Sequence, residues 1–376
     1  MNISLLVGLK NNLEYTTHFY NTTRNLYPTI EICFVSYGST DGTHAWLDSL
    51  DDDNVKYYYS EEQKTFADTY NKAAEIATKE YVVYLHNDIV LAPNFLENII
   101  KHLDKNNVVS YTTVEPPIFS EHKRSGKIIQ SFGEELNSFD INSFYEYSSK
   151  ISNDFFNQTL PDISFFLAFA MYKKILLDIG GIDNLFDPYF YEDVDLIYRL
   201  KLLGLNLFTS LDALCYHFVS KTSRFTPEAI LNCKNIETRS IRNFIRKWHS
   251  KTPVVRYAIT YIVYNCKSLD TIELFCDKIY IGNQDLISNY IIKEQPNTKY
   301  DLTKKIFHIS QFDEIDGHDI IIEFDYSQTS EKSFQILQNF QEIIKNNNDI
   351  GTFNLDIFKV TVNNLNEMQN SLINVN

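Results

Sequence analysis

The chain has no CxxC pair; its five cysteines, Cys33, Cys215, Cys233, Cys266 and Cys276, stand far apart and are odd in number. That excludes a disulfide framework of the small secreted kind and fits reduced thiols, with Cys33 and Cys215, set in apolar runs, expected in the core. No apolar run reaches the ~18 residues that a membrane-crossing helix needs. The opening MNISLLVGLKNN lacks both the basic n-region and the long apolar h-region of a secretory signal. A soluble, cytoplasmic protein without a transmembrane segment is expected. Positive charge is scarce: 34 Lys plus Arg against 49 Asp plus Glu leave a net charge of -15. A nucleic-acid backbone or anionic bilayer would be repelled, so neither is expected as a partner. Also absent is GxGxxG after the first apolar run, which ends in GLKNN, while Gly38 and Gly42 stand four apart; a dinucleotide-binding Rossmann domain is disfavoured.

What is present is core material. At 376 residues and 44% hydrophobic, the length suggests two domains. ISLLVGL (3–9) and IEICFVSYG (30–38) are short apolar, β-branched runs with a polar helical segment between them. VKYYYS, a helical ADTYNKAAEIATK and EYVVYLHND (80–88) repeat the alternation. This is the α/β pattern of a mostly parallel sheet, in which ligands bind at the carboxyl ends of strands. SYGSTDGT (36–43) and LHNDIVLAPNF (85–95) fall at such ends. STDGT serves equally as a capped helix start, and Asp88 as a solvated turn residue or a hard-cation ligand. From 110 to 160 the periodicity weakens, as in substrate-facing or mobile segments. His217 ends a strand-like run, where an imidazole packs structurally or completes a metal site with a distant carboxylate.

In FYEDVDLIYRL (190–200), three carboxylates, Glu192, Asp193 and Asp195, open a run whose apolar positions Ile197, Leu200 and Leu203 recur at helical spacing, with Gly204 where a helix would stop. The macrodipole favours negative charge at a helix start by about 0.3–1 kcal/mol, enough to explain one or two of them. A third acid beside Tyr189, Phe190 and Tyr191 also suits a general base. Beyond 255, YAITYIVYN, DKIYIGN, KIFHIS and HDIIIEFDY read as strands and SFQILQNFQEIIK (333–345) as a helix. These make a small α+β domain without an assignable chemical motif, and the polar end, 363–376, is expected to fray.

Taken in order, SYGSTDGT, LHNDIVLAPNF, GGIDNLFDPYFYEDVDLIYRLKLLG, YHF and IRNFIRKWHS resemble the glycosyltransferase family 2 pattern over about residues 1–250. The resemblance implies a GT-A-type α/β fold, a mostly parallel sheet flanked by helices. The smaller accessory domain, 255–376, lies outside it. By this resemblance Gly8, Leu9, Lys10, Ser36, Gly38, Ser39 and Asp41 contact the nucleotide, and Thr65, Phe66 and Asn71 wall the nucleoside. Ser36 stands where the family often has an acid for the base. LHND matches the DXD-like triplet with His86 and Asn87 in its first two places, so Asn87 and Asp88 face the donor. Asp88 and His217 would ligate Mn²⁺ or Mg²⁺. Asp193 is the implied general base and Glu192 its rival or an acceptor-binding acid, while Asp195 caps the helix or pairs with a cation. Ala168, Phe169 and Ala170 would contact the acceptor, although the same residues serve equally as core.

The implied activity is inverting, metal-dependent transfer of a sugar from a nucleotide-diphosphate sugar, a UDP-sugar first among donors, to a glycan or other hydroxyl acceptor. A catalytically silent nucleotide-sugar or glycan binding module is the alternative. A nucleotidyltransferase ranks below both, because the first strand is not followed by a Gly-rich basic phosphate loop. Three roles stay open for the C-terminal segment: homo-oligomer formation, acceptor binding, or a reduced second catalytic domain.

Overall fold

The computed structural model describes residues 1–121, 123–161, 168–219, 227–250, 256–313, 317–346 and 350–366; most of the polar 363–376 end lies outside the described residues. The chain divides into two compact units, Met1–Lys234 and Asn235–Asn376.

The N-terminal unit begins with the expected alternation: β1 (Ile3–Leu9), α1 (Leu13–Leu26), β2 (Glu31–Tyr37), α2 (Thr43–Asp48), β3 (Val55–Ser60), α3 (Phe66–Ile76) and β4 (Tyr81–His86). It continues through β5 (Ile89–Leu91), α4 (Phe95–Ile100), β6 (Asn107–Glu115), β7 (Lys127–Ile129), α5 (Ile141–Asp154), β8 (Thr159–Pro161), β9 (Phe169–Tyr172), α6 (Lys173–Asp178), α7 (Glu192–Leu202) and β10 (Asn206–His217). Helix α8 (Pro227–Trp248) follows. The main sheet runs β3-β2-β1-β4-β9-β6-β10-β5. β1 pairs in parallel with β2 and β4, and β2 with β3. β9 runs antiparallel between β4 and β6, while β10 is parallel to β6. β4, β6 and β10 therefore point the same way, and the carboxyl ends of β1, β2, β4, β6 and β10 share one edge. Leu9, Tyr37, His86, Glu115 and His217 end those strands. The site is built on that edge.

Helices flank the sheet, and the inner strands are apolar almost throughout because both faces are covered. Leu5, Val7, Phe34 and Leu85 pack in one core with Phe19 and Phe95, whereas Leu6, Cys33, Val35 and Tyr84 pack in another with Ala73 and Leu196. Cys33 and Cys215 are buried and all five thiols are free. Within 110–160 the structure differs from the irregular segment expected. β6 runs to Glu115, and α5 forms behind Asp140, whose side chain accepts from the Asn142 and Ser143 amides. The aromatic and Ser-rich composition hides its period: α5 buries only Phe144 and Ser148.

The C-terminal unit contains β11 (Ile259–Tyr264), β12 (Lys278–Ile281), α9 (Gln284–Glu294), β13 (Ile306–His308), β14 (Ile320–Asp325), α10 (Glu331–Gln338), α11 (Phe340–Lys345), β15 (Gly351–Leu355) and β16 (Phe358–Val362). Its sheet, β13-β12-β11-β14-β16-β15, joins four parallel strands to an antiparallel β15–β16 hairpin. The helix expected over 333–345 is two helices. Asn339 donates its side-chain amide to the Gln335 carbonyl at 2.8 Å, a local bond that competes with helix continuation. Among the described residues no helix is long and apolar enough to cross a membrane.

Candidate metal and donor site

Strand register assembles the centre of the site. β5 starts directly after Asp88 and pairs antiparallel with β10, setting His217 opposite Ile89, and the Phe218 amide donates to the Asp88 carbonyl at 3.0 Å. His217 is thereby drawn to Asp88, with Nε2 3.4 Å from Oδ1. His86, at the end of β4, completes a group whose ligand atoms all lie within 4.8 Å of one another. On the other side β6 pairs Val114 with Tyr216, so Glu115 comes beside His217, its Oε1 3.4 Å from Nδ1.

The charges in this group are coupled. Burial pushes the Asp88 carboxyl up, but His217 and His86 outweigh it and hold it at about 2. Burial pushes His217 down, yet Asp88 and Glu115 raise it to about 9. Glu115 is also a hub: burial raises its pKa, and His217, Arg124 and Thr113 bring it well below the usual carboxylate range. Thr113 donates to it at 2.7 Å, Arg124 pairs with it, and Lys127 Nζ lies 3.3 Å away. The residues fit a divalent cation. Asp88 is ionised at neutral pH, and the two imidazoles beside it suit Mn²⁺ better than Mg²⁺, which prefers oxygen ligands. A cation there would displace the His217 proton, and Glu115, beside Nδ1, would hold the imidazole in the ligating orientation.

The loops after β1 and β2 lock together. Lys10 donates to the Tyr37 and Gly38 carbonyls at 3.0 and 2.8 Å and also meets Gln63, which itself donates to the Gly38 carbonyl. The Asn11 amide donates to Ser39 Oγ at 2.9 Å. Gly38 has φ +60, and a Cβ there would fall 2.1 Å from Gln63 Nε2. Gly8 is packed differently: its Cβ would stand 3.0 Å from Thr69 and the Tyr70 ring, so β1 passes close to α3. Leu9 is core. Asp41 caps two helices at once, accepting from the Leu13 amide at 2.8 Å and the Thr43 amide at 3.2 Å. Buried Ser36 donates to Ser39 at 2.8 Å and lies 3.1 Å from His44 Nε2, whose Nδ1 meets Glu61 at 2.9 Å.

A second set of bonds ties α3 to the segment before α7. Thr65 caps α3 in a reciprocal box with Asp68, whose Oδ1 accepts from Asn184 at 3.1 Å. The Phe66 amide donates to the Pro188 carbonyl at 3.4 Å. Asn71 accepts from the Ile182 amide and donates to the Ile182 carbonyl, both at 2.8 Å. From the other side Arg199 donates to the Ile179 and Gly181 carbonyls at 3.0 and 2.7 Å while binding Asp195 at 2.8 Å. The segment then enters α7 through Phe190 and Tyr191, both left-handed at φ 77 and 71. Such strained non-glycine residues persist only where their surroundings over-determine them, and they cluster at functional sites. Glu192 and Asp193 follow immediately, both partly exposed, whereas Asp195 is buried.

Residues 4–176 match the sequence model of glycosyl transferase family 2. Over that span, a little under half of the chain, the sequence is similar to this family. No curated protein matches the chain. Among solved structures the chain is similar to GalNAc-T7 with UDP, GalNAc and Mn²⁺, at 12% identity and TM-score 0.45 over 64% of this chain and 47% of that one. It is also similar to the mannosyltransferase PcManGT from Pyrobaculum calidifontis in complex with GDP-Man and Mn²⁺, at 18% identity and TM-score 0.43 over 65% and 63%. A third is S. aureus TarS 1–349 in complex with UDP, at 17% identity and TM-score 0.43 over 65% of each chain. The chain thus spans between 47% and 65% of the length of these structures.

Several of the expected contact residues have structural work. Ala168, Phe169 and Ala170 lie in or beside the central strand β9 at 2%, 0% and 0% exposure, and the Phe169 ring packs on Tyr84 at 5.2 Å. Between the two readings of those residues, burial selects core and closes their side chains to an acceptor. Asn87 is buried and donates to Thr16 at 3.0 Å. The three acids of α7 separate as well. Tyr191 is the N-cap and forms no side-chain cap bond, so Asp195 pairs with a cation rather than capping. Sequence reasoning left out His86 as a ligand and Glu115 as its neighbour's partner. His86 was visible as an imidazole in the first place of the triplet; Glu115, an acid ending the apolar run VVSYTTVE, carried only a weak signal.

Proposed function

We propose that the protein is an inverting, metal-dependent glycosyltransferase that moves a sugar from a nucleotide-diphosphate sugar, a UDP-sugar first, to a hydroxyl of a glycan or other acceptor. The observation that carries this reading is the His86, Asp88 and His217 group at the carboxyl edge of the sheet, set against a region that matches glycosyl transferase family 2. His86, Asp88 and His217 would hold a divalent cation, whose positive charge would stabilise the departing diphosphate. The donor lies along the β1 and β2 loops, where Lys10 and Gln63 release Gly38 to admit it, with Ser39 and Asp41 shaping the loop.

Asp193 is the general base in this proposal. Its carboxylate takes the proton of the acceptor hydroxyl as that oxygen attacks the anomeric carbon opposite the diphosphate, and single displacement inverts the centre. Two features support it: Asp193 follows the strained Phe190–Tyr191 pair, and Asp195 is withdrawn by Arg199. Glu192 is the rival base or binds the acceptor. The C-terminal unit is assigned an accessory role.

The test is a panel of UDP-, GDP- and dTDP-sugars followed by thermal shift and nucleotide release, in Mn²⁺ and in EDTA. At about 100 times Kd a donor should stabilise the fold by about 2.7 kcal/mol. One nucleotide stabilising only with metal, with Asp193→Asn keeping that shift and losing turnover, is the expected result. Binding without turnover in the unmodified protein would instead indicate a silent binding module, and the absence of any shift would remove the reading.

A further inference from the structure

Two of the three clustered side chains, His86 and Asp88, stand on either side of Asn87. Asn87 and Asp88 are the whole connection between β4, inside the sheet, and β5, which pairs with β10 at its edge. A turn of this kind has no ladder of its own, so the spacing of the two flanking side chains depends on what holds each residue. His86 is held by register, opposite Gly8 of β1. Asp88 is held through its carbonyl, which accepts the Phe218 amide at 3.0 Å. Asn87 is held by its side chain, which reaches α1.

Its partner there, Thr16, is fully buried. The Thr16 hydroxyl donates to the Asn12 carbonyl at 3.2 Å, and the Thr16 amide donates to the same carbonyl at 3.1 Å. A hydroxyl has one hydrogen to give. With that hydrogen spent on the backbone, Oγ1 meets Asn87 as an acceptor and takes a hydrogen bond from Nδ2 at 3.0 Å. The bond network therefore sets the orientation of the amide, with Nδ2 toward α1 and Oδ1 away from Thr16. At 9% exposure Asn87 has little access to water that could replace this partner. The helix is itself a firm support for the turn. Tyr15 shares a core with Val90 and Phe218, and Phe19 shares one with Ile89 and Leu91.

We propose that Thr16 and Asn87 are positioning residues for the metal site: the bond between them fixes the turn so that His86 and Asp88 face one cation together. This rests on the reading of the His86, Asp88 and His217 group as a metal site. It gives Asn87, expected by resemblance to face the donor, a part played through its two neighbours, and it brings in Thr16, which no sequence motif marks.

The test is titration of the full chain with Mn²⁺, read by paramagnetic resonance of the free ion, beside thermal unfolding of the metal-free protein. Thr16→Val keeps the branched shape and removes the hydroxyl. Mn²⁺ affinity should fall about tenfold, the lower end of what losing a bond that supports the ligands costs. Thr16→Ser retains the hydroxyl and should restore the affinity. Thr22→Val is the control for the helix. Thr22 is also buried and donates to its own i−4 carbonyl, that of His18, at 2.8 Å; its loss should lower Tm and leave Mn²⁺ affinity unchanged. Asn87→Ala should weaken binding as Thr16→Val does, and decides alone if Thr16→Val does not fold. The double variant should bind within about twofold of the weaker single one, because both remove the same bond. Mn²⁺ bound by Thr16→Val or by Asn87→Ala as by the unmodified protein, or weakened equally in Thr22→Val, would overturn the proposal and leave the metal site standing. No Mn²⁺ binding by the unmodified protein would overturn the metal site, and this inference with it.

Discussion

Replacing Asp195 tests whether the three acids of α7 divide between structure and chemistry. Asp195 and Arg199 are both fully buried, with Oδ2 and Nε 2.8 Å apart. In Asp195→Ala the guanidinium stays buried with, among the described residues, only the Ile179 and Gly181 carbonyls to accept from it. Breaking a buried pair by removing one partner costs about 3–5 kcal/mol, against about 0–1 kcal/mol for an exposed pair. At about 2–4 °C per kcal/mol for a unit of this size, Tm should fall by about 6–20 °C, with a matching loss of urea midpoint at unchanged slope. Asp193→Asn, on the partly exposed turn one residue after Glu192, should stay within about 1 kcal/mol of the unmodified protein. Asp195→Leu combined with Arg199→Met should recover part of the loss, because the stranded charge is removed while two carbonyls still lose a donor. Circular dichroism during urea and thermal unfolding reads all of these. A single variant costing under about 1 kcal/mol, or a double variant no better than the single, would refute the assignment of Asp195 to the fold.

Two further predictions use other parts of the chain. Glu115→Gln should weaken Mn²⁺ affinity about 10–100-fold, because the carboxylate that orients His217 is lost; paramagnetic resonance of free Mn²⁺ reads this, and an unchanged Kd would refute the role. In the C-terminal unit, burial pushes Glu273 up but Lys305 and Arg246 outweigh it and hold its carboxyl at about 2, below its ordinary 4.5. A depressed carboxylate stabilises the fold above its unfolded pKa and loses that contribution as pH falls through its folded one. The urea midpoint should therefore fall as pH drops from about 4.5 toward 2, more steeply than in Glu273→Gln; equal slopes would refute the linkage.

The strands and helices of the first ninety residues were legible because strands covered on both faces read as continuous apolar runs, and β1, β2 and β4 are such runs. Helix α7 was legible from its spacing and from Gly204. The Asp195–Arg199 pair was also present as an i, i+4 spacing, but the spacing alone does not say that both side chains are buried. Helix α5 was hidden, since it buries only Phe144 and Ser148 while Tyr145 and Tyr147, which read as core residues, stay partly exposed. Asn71 and Thr65 were legible as site candidates by resemblance, whereas their bonds to Ile182 and Asp68 depend on where α3 meets the turn before α7.

The sequence by itself determined the α/β character, the scarcity of positive charge and the acids at the start of α7, and its resemblance to a family offered Asp88 and His217 as candidate cation ligands. Only the tertiary structure decided that His86 and Glu115 flank that pair, that Ala168, Phe169 and Ala170 are core, and that Asp195 belongs to Arg199. The reason is that local residue order sets period and burial tendency, whereas the pairing of β10 with β5 and β6 is non-local. A one-residue slip in that register would turn His217 to the other face and dissolve the site.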